Sequence, residues 1–525
     1  MISVEMEDVL AVLQLCKPYI IGIIAALVIG IVIMIACRRM SRGKRFLIRG
    51  EAAIAMVLAV VVCVNMICFG PMATLIGLAT GNGTLSDETN EEAAEVAEEI
   101  MEDGIVLLKN ESLLPLNETK KLNIFGWESI NPAYGGAGSG GINDLYDIVS
   151  LNQGLENAGF SINQELVDFY NNYGADNPEM SIQKQSWTLP EPPVDTYSDE
   201  LIKGAKEYSD VAVVVLSRKA GEGHNDIPMD VKKAAYDNNS DEYDDFPEGE
   251  HYLQLSQTER DMVDMVCSNF DNVIVVYNGA NQFELGFADE YPQIKSVVWC
   301  PGTGNVGFNA LGKVFSGEVN PSGKTPDTFI YDMTTAPWWN NAEKTEYTNL
   351  ADLAVEGMNA GTAQVYAPAF TNYAQEGAID YDKTVQYPFG YGLSYTEFEQ
   401  KMGELEEKDG QISVDVEVTN TGDVAGKDVV EVYYNPPYTN GGIEKSSANL
   451  IEFAKTELLQ PGKSQTVTVT FSIEDMASYD ENNAKAYVLE QGDYVISINS
   501  DSHTVLDQKT YTADADVVYE GENKR

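Results

Sequence analysis

Val211-Ala-Val-Val-Val-Leu-Ser217 runs straight into Arg218-Lys-Ala-Gly-Glu-Gly-His-Asn-Asp226. Six apolar residues in succession, four of them valine, suit a strand covered on both faces better than one with a wet face. Comparable runs stand at 122–126, 273–278 and 296–300, and stretches with helical spacing at 258–270 and 306–315 alternate with them. That order predicts an open, mostly parallel α/β sheet sandwich over residues 121–345. Ligands of such sheets sit beyond the carboxyl ends of the strands, where Glu222 stands between two glycines on a tight turn. Glu222 is thus placed to act, and Arg218, Gly221, His224 and Asp226 are the candidate binding residues around it. By spacing alone, a hydrated loop acid is the simpler reading of Glu222, because no second catalytic carboxylate is marked.

Beyond Pro388 the texture changes to alternation. Val414, Val416 and Val418 share one face, and further runs follow at 429–434, 465–471 and 494–498 between turns rich in Gly, Asn and Pro. An all-β sandwich over 386–515 is expected, with a junction at 346–385 and a tail at 516–525. In the other direction, residues 80–120 form a linker and a lead-in helix. Nine acids and no base fall between Asp87 and Asp103, with Ala93, Val96, Ala97 and Ile100 at helical spacing.

Residues 18–37 carry no charge and match the hydrocarbon thickness of a membrane, and a second apolar stretch covers 52–78. Arg38, Arg39, Arg42, Lys44, Arg45 and Arg49 lie between them, which predicts a two-helix membrane hairpin over 18–79 with a cytoplasmic turn. Residues 1–17 and everything after the hairpin then lie on the extracellular side of the cell membrane, with lipid as a partner through 18–79. Two spans with no charge inside them offer no ion path, so transport is not expected.

The 82 acids against 33 Lys and Arg give a net charge of −49, which repels phosphate backbones and excludes nucleic acid as a partner. Only Cys267 and Cys300 lie outside the apolar N-terminal part, so packing rather than disulfides must hold the soluble domains. Three histidines and no Cys-x-x-Cys make a zinc site improbable, and no cofactor is expected. Gly136, Gly138 and Gly141 fit the dinucleotide spacing but do not directly follow the strand, as that fingerprint requires. Asp237, Asn239, Asp241, Tyr243, Asp245 and Glu248 take calcium-loop spacing, yet Glu242 occupies the glycine position, and a hydrated acidic insertion is the simpler reading. Five tryptophans, at 127, 187, 299, 338 and 339, could stack on sugars, although packing is their commoner use.

Several strings together resemble family 3 glycoside hydrolases, the β-glucosidase and β-xylosidase group. They are Gly104-Ile-Val-Leu-Leu-Lys-Asn110 with Leu113-Leu-Pro-Leu116, the turn at 217–223, and Gly317-Glu-Val-Asn-Pro-Ser-Gly-Lys324 with Pro326-Asp-Thr328. Tyr387-Pro-Phe-Gly-Tyr-Gly-Leu-Ser-Tyr395 and Val418-Thr-Asn-Thr-Gly422 follow in the same order, the last resembling a fibronectin type III-like domain. The resemblance implies a retaining glycosidase acting on an oligosaccharide or β-glycoside, with Glu222 at the acid/base position and an Asp nucleophile on a barrel domain. That barrel, about 250 residues, is missing from residues 1–525, so a barrel from another chain is an expected partner. Two local departures stand out: the family's E-G-I-x-x-G-Y segment survives only as Glu376-Gly377, and Asp226 falls four residues after Glu222 instead of three. The contrasting expectation is a non-catalytic carbohydrate-binding or scaffolding module at the cell surface.

Overall fold

The computed structural model describes residues 6–73, 76, 86–136, 140–142, 146–173, 186–221, 227–335 and 381–520. The chain divides into two compact units, Met1–Asn90 and Glu91–Arg525. In the first, α1 (Met6–Ala36) and α2 (Arg42–Cys68) are each long and apolar enough to cross a membrane. They pack closely: a Cβ on Gly30 would stand 2.3 Å from Met56 Sδ. Arg42, Lys44, Arg45 and Arg49, expected in an open loop, belong to the first turns of α2, since Arg and Lys are good helix formers. The Arg49 guanidinium donates from Nε and Nη2 to Met34 O, at 3.3 and 3.2 Å.

In the second unit, α3 (Asp87–Gly104) leads into β1 (Val106–Asn110), the edge of a six-stranded sheet. The other strands are β2 (Lys121–Phe125), β3 (Ser161–Ile162), β4 (Val211–Ser217), β5 (Asn272–Asn278) and β6 (Ile294–Cys300), in the order β1-β6-β5-β4-β2-β3. All neighbours are parallel except β1, which runs antiparallel to β6. Every residue of β4 is buried, as its unbroken apolar run requires. One face packs on α5 (Gln164–Asn172), α6 (Asp199–Tyr208) and α7 (Gln257–Asn269), the other on α4 (Leu151–Asn157) and α8 (Phe308–Ser316).

The stripe expected on α3 is not the one that packs. Ala93, Val96 and Ile100 are exposed, and the helix instead buries Met101 and docks through charge. Lys313 of α8 pairs with Glu98 and Glu102, both at 2.6 Å, and Asn309 Nδ2 donates to Glu98 Oε2 at 2.8 Å. Asp103 in its last turn adds Lys427 and Lys455, at 3.0 and 3.4 Å, so three cations hold this acidic helix.

The β-sandwich follows. One sheet joins β7 (Phe398–Lys408), β8 (Gln411–Asn420) and β11 (Ser464–Ser472); the other joins β9 (Val429–Asn435), β10 (Asn449–Lys455), β12 (Gly492–Asp501) and β13 (Thr504–Ala513). Val414, Val416 and Val418 do share the inner face, meeting Val430, Val432 and Ile496 in one core. The strings at 317–328 and 387–395 form the seam between the domains. Asn320 donates to Ala425 O and its Oδ1 accepts from the Ser394 hydroxyl and the Tyr395 amide, while the Gly390 amide donates to Thr325 O and the Thr325 amide to Tyr391 O. Gly390 has φ +84° and a Cβ there would lie 2.2 Å from Glu431 Oε2. Gly390→Ala is therefore expected to cost about 1–3 kcal/mol, read as a lowered unfolding midpoint for the full chain.

Candidate active site

The carboxyl ends of β2, β4, β5 and β6 converge on one hub. Asn278, fully buried at the end of β5, accepts from the Ala133 amide at 2.6 Å and donates to Ala133 O and to Cys300 O, at 3.2 and 3.0 Å. One amide side chain thereby fixes the loop after β2 against the ends of two neighbouring strands. The glycine-rich stretch lies against the backbone that follows β4: a Cβ on Gly136 would stand 2.9 Å from Ala220 O and 3.3 Å from Gly221 Cα. Gly141 is described and Gly138 is outside the described residues.

Arg218 follows β4 directly but points into the domain, its side chain wholly buried. Nη1 and Nη2 donate to Glu259 Oε1 and Oε2 at 2.8 and 2.6 Å, and Nε donates to Tyr252 O at 2.7 Å. Further bonds reach Ser217 O and Gln254 O, and the rings of Tyr252 and Phe283 lie 5.1 and 4.7 Å from the guanidinium carbon. Its donors are committed to protein, which leaves none for the expected substrate contact. Glu259 is fixed in turn by the capping box at the start of α7, where its Oε2 accepts from the Ser256 amide. Coulombic attraction and hydrogen bonding to Glu259 outweigh burial and hold Arg218 firmly protonated.

Lys219 turns the opposite way, donating to Asn131 O at 2.6 Å and lying 3.6 Å from Glu128 Oε2. Gly221, half-buried, is the last residue described before the turn; Glu222, His224 and Asp226 lie outside the described residues.

Two buried acids beneath this rim were not marked by the sequence. Burial raises the Glu128 carboxyl above its ordinary range, with Lys219 opposing. Glu191, 4% exposed, accepts from the Trp127 amide at 2.7 Å and from the Tyr197 hydroxyl at 2.8 Å, and Tyr197 in turn meets Tyr170 at 2.8 Å. Desolvation by burial pushes Glu191 up to about 8 despite those bonds. Between its ordinary value of 4.5 and about 8, the folded chain holds a proton there that the unfolded chain has released. Stability then falls as pH rises through that window and is fully present below it. Glu191→Gln, which keeps the acceptor for Trp127, is expected to flatten this fall. The check is the difference in unfolding midpoint between about pH 5 and about pH 8, wild type against variant.

Among the described residues no group of three or more His, Cys, Asp or Glu could hold a metal ion. In the stretch 237–248, Asp245 is buried and accepts from Thr258, from the amide and side chain of Asn239, and from Tyr236. A calcium ligand at that position would have to give up these donors. Trp127, Trp187 and Trp299 are all buried in the packing, which removes them as sugar platforms; Trp338 and Trp339 are outside the described residues.

Residues 105–395 match the glycosyl hydrolase family 3 C-terminal domain, and residues 428–502 match a fibronectin type III-like domain. The chain belongs to glycosyl hydrolase family 3. A β-glucosidase of Ruminococcus albus is 32% identical over 438 residues, covering 82% of this chain and 42% of that protein. β-Glucosidase A of Butyrivibrio fibrisolvens is 34% identical over 417 residues, covering 75% of this chain and 48% of the relative. Among solved structures, β-glucosidase 3B of Thermotoga neapolitana with α-D-glucose superposes with TM-score 0.64 at 28% identity, over 82% of this chain and 55% of that one. A β-glucosidase of Paenibacillus barengoltzii does so with TM-score 0.65 at 30% identity, over 81% and 44%. The family 3 chain thus spans about half the length of the relatives it matches. Within its family 3 match lie the β4 strand end, the hub at Asn278 and the domain seam.

Proposed function

We propose that this chain supplies the acid/base half of a retaining β-glucosidase acting on O-glycosidic bonds of oligosaccharides, with the nucleophile on a barrel that is not among residues 1–525. The observation that carries this reading is the Gly221-Glu222-Gly223 sequence that follows β4 within a chain 32–34% identical to two β-glucosidases. A carboxyl there would protonate the departing glycosidic oxygen and then activate water, about 5–5.5 Å from the nucleophile. Gly221, His224 and Asp226 would line the sugar side of that turn, while Arg218 holds its base from within. The basic residues Arg38 to Arg49 would sit on the cytoplasmic face, so that α1 and α2 anchor an extracellular enzyme.

The test is hydrolysis of nitrophenyl β-D-glucoside by the detergent-solubilised full chain, alone and mixed with the part of the Ruminococcus albus enzyme that this chain does not match. Turnover in the mixture and none above background alone is the expected result. Turnover by the chain alone would place the nucleophile within residues 1–525 and overturn the half-site reading.

A further inference from the structure

A groove at the seam between the α/β domain and the β-sandwich lies apart from the residues so far assigned to chemistry. Two adjoining cavities make it, of about 400 and about 280 Å³, with Phe389 and Leu450 lining both. The larger carries aromatic rings and hydroxyls. Tyr381 stacks on the His503 imidazole, with centroids 3.5 Å apart and planes 19° from parallel, beside Tyr433, Ser446 and Ser502. The smaller carries Glu431 and Lys324 against Val429 and Phe453.

Glu431 lines the smaller cavity and meets Tyr433 of the larger one. It is 4% exposed, and among the described residues its carboxylate receives one side-chain hydrogen bond, from the Tyr433 hydroxyl to Oε2 at 2.9 Å. Among the described residues no side-chain donor reaches its other oxygen. Burial raises Glu431 to about 7, the behaviour of a carboxyl short of donors.

The lining selects the occupant by elimination. Lys324 and Lys455 beside the smaller cavity disfavour a cation, Glu431 and Asp103 disfavour an anion, and a carboxylate short of donors disfavours a hydrocarbon. What remains is a neutral molecule with several hydroxyl donors and an apolar face to lay on aromatic rings. A pyranose ring has both. We propose that this seam groove is a non-catalytic carbohydrate-binding site, in which Glu431 accepts from adjacent sugar hydroxyls and Phe389 and Tyr381 cover the ring's CH face. The proposal stands on the groove itself and requires neither Glu222 nor a nucleophile.

The test is saturation-transfer NMR of the full chain in a detergent without a sugar headgroup, titrated with cellobiose. Cellobiose is expected to bind with millimolar Kd. Glu431→Gln removes charge at constant shape, and Ser447→Trp fills the larger cavity from an exposed position. Each is expected to weaken binding at least tenfold, while Glu222→Gln leaves it unchanged. No transfer to cellobiose in the wild type overturns the proposal, as does transfer that both groove variants leave intact. Loss of transfer in Glu222→Gln with retention in Ser447→Trp would move the sugar to the strand ends and also overturn it. Hydrolysis in the reconstituted mixture is read separately, so the groove and the half-site can each fail alone.

Discussion

Arg218→Met is expected to lower the stability of the second unit by about 3–5 kcal/mol, because it strands the Glu259 carboxylate in an apolar interior with its bidentate partner gone. The loss exceeds that of an ordinary surface ion pair since both side chains are almost wholly buried, at 0% and 3% exposure. Three further bonds, to Tyr252 O, Ser217 O and Gln254 O, disappear with it. Urea unfolding of the full chain measures the effect as a shifted midpoint. The double variant Arg218→Met with Glu259→Leu should recover a large part of the loss, because removing both charges also removes their desolvation penalty. A single variant as stable as wild type would show that the pair does not anchor the strand end.

Glu222→Gln carries the second large effect. In the reconstituted mixture it is expected to reduce kcat/KM for an alkyl β-glucoside by about 10²–10⁴, since an alkoxide cannot depart without a proton. The chain should still fold with the wild-type unfolding midpoint, because the residue lies beyond the end of β4 and outside the strand. These two variants separate the roles on either side of Gly221: Arg218 acts on stability and Glu222 on turnover.

How much of this was legible depended on whether the signal was local. The core strands announced themselves because a strand buried on both faces must be apolar at every position, as β4 is from Val211 to Leu216. β1 was visible only as a string resembling a family, since its antiparallel pairing with β6 joins residues almost two hundred positions apart and leaves no periodicity. Arg218 was misassigned because adjacency to a loop says nothing of side-chain direction; the informative feature was its eventual partner Glu259, hidden among 82 acids. Glu128 and Glu191 were concealed in the same way, as burial is a property of the assembled fold and not of the residue type. On α3 the apolar residues at helical spacing were real but faced outward, because Lys313 drew the acidic stripe containing Glu98 and Glu102 inward. The sandwich was read from the alternation of Val414, Val416 and Val418, where one wet face and one dry face suffice.

The most direct test of an acid at position 222 compares leaving groups. In the reconstituted mixture, kcat/KM is measured for methyl β-D-glucoside and for 2,4-dinitrophenyl β-D-glucoside, each with the wild-type chain and with Glu222→Gln; this parameter reports the step in which the aglycone departs. The account predicts a fall of at least about a hundredfold for the methyl glycoside and little change for the dinitrophenyl glycoside, whose phenolate leaves without a proton. Equal rates for variant and wild type on the methyl glycoside would contradict it.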